Sequence, residues 1–277
     1  MDTNNPFAAG QEASIPGGPT LGDGRRVDLV AAVRDGTMTA LRNVLPIGGG
    51  LFLVVLVYLA SVCTCIGWMV SGPFMLHGMN RFMLSVVDGK PDFGAFTDGV
   101  TGPDPMRVFL HGWGVILLLM LLLVPSISVS IVVELAQEQG MVSSALGLTL
   151  STVAGLLWAV VIAPLTYASY AWADRDLGAL EAYTAAFAAF RPSWGALAAL
   201  AVGLQVAFLP GVVIGPYMEA QSQAMATLPP DQALSGLGAL FGLLGLLYGY
   251  MAVMGGVTMC WTLTAYRQVV PAQDLAA

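Results

Sequence analysis

Two histidines, three cysteines and a thin scatter of carboxylates are the side chains in this 277-residue sequence that could do chemistry. His77 and His111 would change charge near neutral pH, and each falls at the end of a long uncharged run, where the two rings could meet. Two imidazoles without a third ligand make a weak metal site. Cys63 and Cys65 are separated by one residue, too close for easy disulfide geometry, and Cys260 lies far along the chain. Small apolar packing is the better reading of all three thiols. Glu134, Glu138 and Glu219 fall at run ends, and Gln205 is the only amide well inside one. The series Asp88, Asp92, Asp98 and Asp104 is the one polar group an enzyme acting on lipid headgroups could draw on, and charged loop decoration explains it more cheaply. No Gly-x-Ser-x-Gly elbow, His-Glu-x-x-His pair, phosphate-binding loop or dinucleotide fingerprint occurs. The residues therefore predict no catalytic site, no metal and no cofactor.

The elements that must position these few groups follow from composition. The chain is 57% hydrophobic and 10% charged, where soluble globular chains carry about 25% charged residues. A net charge of −7 excludes a nucleic-acid-binding face and a polybasic membrane-surface protein. Uncharged runs extend from Arg42 to Arg81, Arg107 to Glu134, Glu138 to Asp174, Arg191 to Glu219 and Asp231 to Arg267. A helix crossing the hydrocarbon layer needs roughly 20 apolar residues, so each of the last four runs holds one span. Backbone amides cannot go unpaired in lipid, and barrel-type alternation is absent, so the spans are helices.

The first run fits either one long helix or two minimal ones. Lys and Arg collect on the cytoplasmic side of short loops. Two crossings, with a turn near Cys63–Gly67, put every Lys and Arg on one side; a single crossing nearly abolishes the bias. The expected architecture is an all-α polytopic transmembrane bundle of six spans in a cell inner membrane, both termini cytoplasmic. Residues 1–26 read as a disordered cytoplasmic tail, 27–270 as the membrane domain and 271–277 as a short tail.

The six spans read as three hairpins. Outward helices follow Arg42, Arg107 and Arg191; returning helices end at Arg81, Arg175 and Arg267, giving an arginine ring suited to lipid headgroups. Tryptophan follows the second and third leading arginines, as Trp113-Gly114 and Trp194-Gly195. Proline marks the inner end of the first two returning helices, at Pro73 and Pro164, where the third has Gly255-Gly256. Amphipathic pieces flank the spans: Leu29, Val30, Val33, Met38 and Leu41; Phe93 and Phe96 behind a capping Asp92; and Leu177, Leu180, Tyr183, Phe187 and Phe190. Such pieces lie in the interface or fold back over the bundle. Prolines 46, 125, 164 and 210 can break spans, with Pro125-Ser126 and Leu209-Pro210-Gly211 the best sites.

The segment from Gly72-Pro73 through Gly78 and Arg81 to Lys90-Pro91-Asp92-Phe93 and Phe96, together with Ala163–Phe190 and Leu263–Val269, resembles the membrane domain found in some glycerophosphodiester phosphodiesterases and its stand-alone bacterial relatives. The resemblance covers residues 28–270. It implies a membrane module without hydrolase activity, because no catalytic domain follows, and it assigns no catalytic residue.

Helix association in lipid rests on close packing, so rows of small residues are informative. Gly238, Gly242, Gly245, Gly249, Ala252 and Gly256 share one face of the last span, and Gly195, Ala199, Gly203, Ala207 and Gly211 one face of the fifth. Packing within the chain is the expectation for the fifth span, and the last row is long enough to serve a second copy of the chain. Two functions follow. One is a structural, assembly or lipid-interacting module whose partners are membrane lipids, its own copies or other membrane proteins. The other is a small-solute or lipid transporter with a path along His77, His111, Pro125, Gln205 and Pro210. A pump needs a chargeable group in the membrane, and only the histidines offer one.

Overall fold

The computed structural model describes residues 21, 25–62, 67–208, 210 and 230–272. Among these the regular elements are helices: α1 (Leu29–Arg42), α2 (Val44–Val62), α3 (Gly67–Val87), α4 (Ala95–Thr101), α5 (Pro105–Glu138), α6 (Ser144–Ile162), α7 (Ala168–Arg175), α8 (Ala179–Phe190), α9 (residues 194–208) and α10 (Pro230–Val269). Five stretches are long and apolar enough to cross a membrane: Val44–Ser61, Pro105–Glu138, Leu146–Arg175, Ala179–Phe208 and Leu244–Val269. The chain is a polytopic helical membrane protein. α3 lies outside that set, since its second half carries His77, Asn80 and Arg81. It nonetheless pairs with α2, Ser61 and Ser71 sharing a 2.9 Å hydroxyl hydrogen bond. The expected first turn falls between these two helices; Cys63 and Cys65 lie outside the described residues.

Helix ends follow local chemistry. Asp28 accepts from Ala31 N–H at 3.0 Å to start α1, and Asp104 accepts from Arg107 N–H at 3.0 Å, ahead of Pro105, to start α5. α3 and α5 both stop at a glycine in the left-handed region, Gly89 (φ 76°) and Gly140 (φ 69°). In each case two amides beyond the end bond back to freed carbonyls: Gly89 to Val86 and Lys90 to Ser85, Gly140 to Gln137 and Met141 to Ala136. Asp92 does not cap α4 directly; it accepts from Gly94 N–H at 2.8 Å in the preceding turn. The strongest break in a span is at Pro164, where α6 tightens into a 3-10 segment, Ala163–Tyr167, before α7. α5 continues as one helix through Pro125.

The tryptophans and prolines noted as repeat markers are partners. A proline cannot donate to the carbonyl four residues earlier. Pro73 so releases the Met69 carbonyl and Pro164 that of Val160. Trp113 Nε1 donates to Met69 O at 3.0 Å, and Trp194 Nε1 to Val160 O at 2.6 Å. The indole at the start of each later hairpin therefore satisfies the backbone group that the preceding hairpin's proline leaves open, as an apolar surrounding requires.

The well-packed core lies where the arginine-bearing helix ends meet. The Phe82 ring contacts those of Phe93 and Phe96, with centroids 5.0 and 4.8 Å away. Phe190 stacks on Tyr167 at 4.4 Å and on Tyr266 at 5.9 Å. The amphipathic pieces fold back onto this core. α1 lies against α10, tied by Asp28 N–H to Gln268 Oε1 at 2.8 Å and by Trp261 Nε1 to Thr37 Oγ1 at 2.8 Å. Its buried face is Ala32, Gly36 and Ala40, while Val30, Met38 and Leu41 of the expected stripe are exposed. Small residues win that face because the backbones cross closely: a Cβ on Gly36 would stand 2.9 Å from the Cys260 carbonyl. On α8, Tyr183 and Phe190 are buried as expected, but Leu180 and Phe187 point outward and alanines 182, 185 and 186 take their place. Leu21, within the stretch expected to be a disordered tail, is buried in the same core.

Candidate functional site

Three arrangements of polar and cavity-lining residues stand out. The first joins the ends of α3, α7 and α10. Arg267 of α10 meets Asp88, just beyond α3, through Nε and Nη2 at 2.8 Å each, and Asp174 of α7 through Nη1 at 2.8 Å and Nη2 at 2.9 Å. Tyr266 donates its hydroxyl to Asp174 Oδ2 at 3.0 Å, and Arg175 donates to the Pro271 carbonyl at 2.6 Å. Two bidentate carboxylates around one largely buried guanidinium form a structural clamp. Arg267 and Arg175 are thus spent on the protein rather than left for headgroups. Of the remaining ring, Arg42 and Arg191 are exposed, and Arg81 and Arg107 turn to the second arrangement.

That second arrangement is a cavity of ≈130 Å³ between α3, α4, the start of α5 and the end of α7, lined among others by His77, Arg81, Asp98, Arg107, His111 and Asp176. The two histidines do share one site. His77 is 2% exposed; its Nε2 faces Asp176 Oδ1 at 3.9 Å, its ring meets Trp172 edge-on at 5.1 Å, and its buried Nδ1 has no hydrogen-bond partner. Asp176 is the one non-glycine with positive φ (50°) among the described residues, a conformation Asp tolerates better than most. This turns its carboxylate to His77 while its carbonyl accepts from Arg107 Nη2 at 2.7 Å. The His77 ring first, then the guanidiniums of Arg81 and Arg107, hold the Asp176 carboxyl below its ordinary range, against the opposing effect of partial burial. Arg81 Nε and Asp98 Oδ2 are 3.8 Å apart, a loose pair.

The third is a half-open chamber of ≈550 Å³ between the spans, walled by Leu119 and Leu123 of α5, Trp158 and Ala159 of α6, Ala201, Leu204 and Phe208 of α9, and Met251, Gly255 and Met259 of α10. Hydroxyls lie along its lower wall, yet Thr258 and Thr262 bond to carbonyls of their own helix, at 2.7 Å to Met254 and 2.9 Å to Met259, and Tyr170 bonds Thr262 at 3.1 Å. The lining is therefore apolar in effect. Thr166 likewise donates to the Ala163 carbonyl at 2.7 Å and Trp158 Nε1 to that of Leu122, which leaves Gln205 and Ser126 as the other polar side chains of the wall. A smaller cavity of ≈230 Å³ between α6 and α9 shares Gly155 and Gln205 with it.

Of the expected transport path, the structure brings Gln205 to the chamber and places His77 and His111 in the separate charged cavity, while Pro125 does not line the chamber, though its neighbour Ser126 does. Pro210 lines neither. The small-residue rows face mostly open space. An added Cβ would meet nothing within 4 Å at Gly195, Gly203, Gly238, Gly242, Gly245 or Gly249, and Ala199 is exposed. Only Gly256, against Ile47, packs closely, and Ala252 borders the chamber. The packing side of α9 is instead Leu197 and Leu200, larger side chains that reach the core. Gly211 lies outside the described residues. Sequence reasoning missed Gly36, Gly50, Gly78 and Gly112 as close contacts: an added Cβ on Gly78 would lie 2.7 Å from Phe96 O, and on Gly112 2.6 Å from Pro73 Cβ. It missed Asp174 and Asp176 as well, whose partners are remote in sequence. No family model, curated protein or solved structure matches this chain.

Proposed function

We propose that this chain is a multi-pass inner-membrane module that holds lipid, with an acyl chain occupying the chamber between the spans. The carrying observation is the chamber itself: ≈550 Å³, apolar and walled by membrane-depth helices, within the roughly 300–1,000 Å³ of small-molecule sites. Each methylene transferred from water to such a lining gains about 0.8 kcal/mol, but from lipid almost nothing. Shape and the amide of Gln205 on the wall must therefore select the occupant. The neighbouring cavity between α6 and α9 offers the side entrance a bilayer lipid needs. Six crossings with cytoplasmic termini, including α3, belong to this proposal on the strength of the one-sided charge pattern. So do kinship with the phosphodiesterase membrane domain and self-association along the open Gly238–Gly249 face; we assign the chain no reaction.

Native mass spectrometry of protein extracted in mild detergent tests the lipid reading. Ala159→Trp and Ala201→Trp, which fill the chamber, are expected to strip the retained lipid. Undiminished lipid in both folded variants refutes it. Gln205 and Ser126 on the chamber wall also suit a transporter; solute or lipid flux in proteoliposomes that Gln205→Leu abolishes would favour that second reading.

A further inference from the structure

The charged cavity has a lining that selects its ligand. Arg81 and Arg107 bring two fixed positive charges, Asp98, Asp104 and Asp176 three negative ones, and His77 and His111 two imidazoles. Asp104 Oδ1 caps α5 on Arg107 N–H at 3.0 Å and Asp176 Oδ1 faces His77 Nε2 at 3.9 Å; the other groups are lightly engaged. Arg81 has only the 3.8 Å contact to Asp98, Arg107 gives one N–H to the Asp176 carbonyl, and the Nδ1 of His77, a side chain 2% exposed, has no partner. That nitrogen points at Gly99, which itself lines the cavity: a Cβ there would stand 3.2 Å away. A buried polar atom without a partner costs about 1–3 kcal/mol, which a ligand bonded to it recovers.

A bare anion would meet three carboxylates, and a bare cation two guanidiniums. Among the described residues no group of His, Cys, Asp and Glu is disposed to hold a metal ion. A compact zwitterion satisfies both signs. Guanidiniums favour phosphate oxygens. The carboxylates of Asp98 and Asp104 favour a cation that can donate hydrogen bonds. A primary ammonium has three donors. A trimethylated one has none and is held by aromatic cages, whereas the one tryptophan here is engaged edge-on with His77.

We propose that this cavity binds a phosphoethanolamine group, its phosphate on Arg81, Arg107 and His77 and its ammonium on Asp98 and Asp104. The group is carried by a phospholipid or is free in solution; the lipid-borne form rests on the lipid-binding reading above, and the free form does not.

Full-length protein is tested in two arms. In detergent, calorimetric titration compares soluble O-phosphoethanolamine with phosphocholine and inorganic phosphate. In nanodiscs of mixed phosphatidylethanolamine and phosphatidylcholine, native mass spectrometry reads the ratio of lipids retained. The expected result is a preference for the ethanolamine form in at least one arm, and that arm identifies the source. Arg107→Gln and Arg81→Gln, each confirmed folded by circular dichroism, should weaken it roughly 10- to 100-fold. Ala159→Trp should lower total retained lipid without altering the ethanolamine-to-choline ratio, so failure of the chamber and failure of the headgroup site are read separately. Equal affinity for the three soluble probes together with an unselective lipid ratio overturns the proposal. So does a preference that survives in the folded arginine variants.

Discussion

Removing the Trp113 indole N–H tests whether these helices are held by carbonyls that prolines release. Trp113→Phe keeps a ring but removes the donor, 3.0 Å from Met69 O. Pro73 gives that carbonyl no helical N–H, so it is left open in an apolar surrounding. A buried group orphaned in this way costs about 1–3 kcal/mol, and hydrogen bonds between membrane helices have averaged about 0.6 with a maximum near 1.7 kcal/mol. A donor-specific loss of about 0.6–2 kcal/mol is expected, on top of the lost indole packing. Pro73→Ala supplies the missing N–H while keeping the Cβ that Gly112 packs against. In a chain already carrying Pro73→Ala, Trp113→Phe should therefore cost less, by that same donor-specific amount. Reversible unfolding by titrating denaturing into mild detergent, followed by circular dichroism, gives the four free energies of the cycle. Equal costs of Trp113→Phe with and without Pro73→Ala, within about 0.3–0.5 kcal/mol, refute the reasoning. The Trp194, Pro164 and Val160 set repeats the geometry at 2.6 Å.

Gly36→Val should destabilise the protein by about 1–3 kcal/mol or more, because its Cβ would press on the Cys260 backbone at 2.9 Å; Gly203→Val, facing open space, should stay within about 0.5 kcal/mol in the same unfolding assay. Asp176 supplies a pH dependence of known sign. Its folded carboxyl titrates below the ordinary 3.8, so its contribution is fully present above that value and is lost as pH falls through the folded one. Asp176→Asn should flatten the fall in stability below about pH 4 relative to the parent chain, a difference that unfolding at matched pH values measures.

How much of this was legible in the sequence depends on the range of the interaction concerned. Helices, hairpins and membrane residence follow from charge-free runs, which are local. The Trp and Pro markers were visible as a repeat, but the bond from Trp113 to Met69 joins separate helices and needs their crossing point. The aliphatic stripe of α1 misdirected because its packing on α10 is set by how closely the backbones approach: Val30 and Leu41 stay exposed, while Gly36 is needed where backbones meet. The same logic separates the glycine rows of α9 and α10, regular in sequence yet facing outward, from the isolated Gly78 and Gly112 that pack. His77 and His111 line one cavity, and Asp176, which orients the site, owes its position to a left-handed turn after α7 that no motif announced.

Packing quality is divided unevenly along the bundle, and that division bears on function. Stacked aromatics, the Arg267 clamp and the close contacts of Gly36, Gly78 and Gly112 lie at the arginine-bearing end. Away from it the spans are apolar and little buried: the most hydrophobic window, within Pro105–Glu138, is only 6% buried. Lipid tails are as apolar as leucine, so nothing drives those segments together except shape. A bundle fixed at one end by directional bonds can leave space between its spans without losing its fold. The chamber lies beyond the clamp, with Tyr170 and Thr262 on its wall four and five residues from Asp174 and Arg267. An occupant there would replace helix–helix contact rather than compete with it, which is the condition a lipid-holding module must meet.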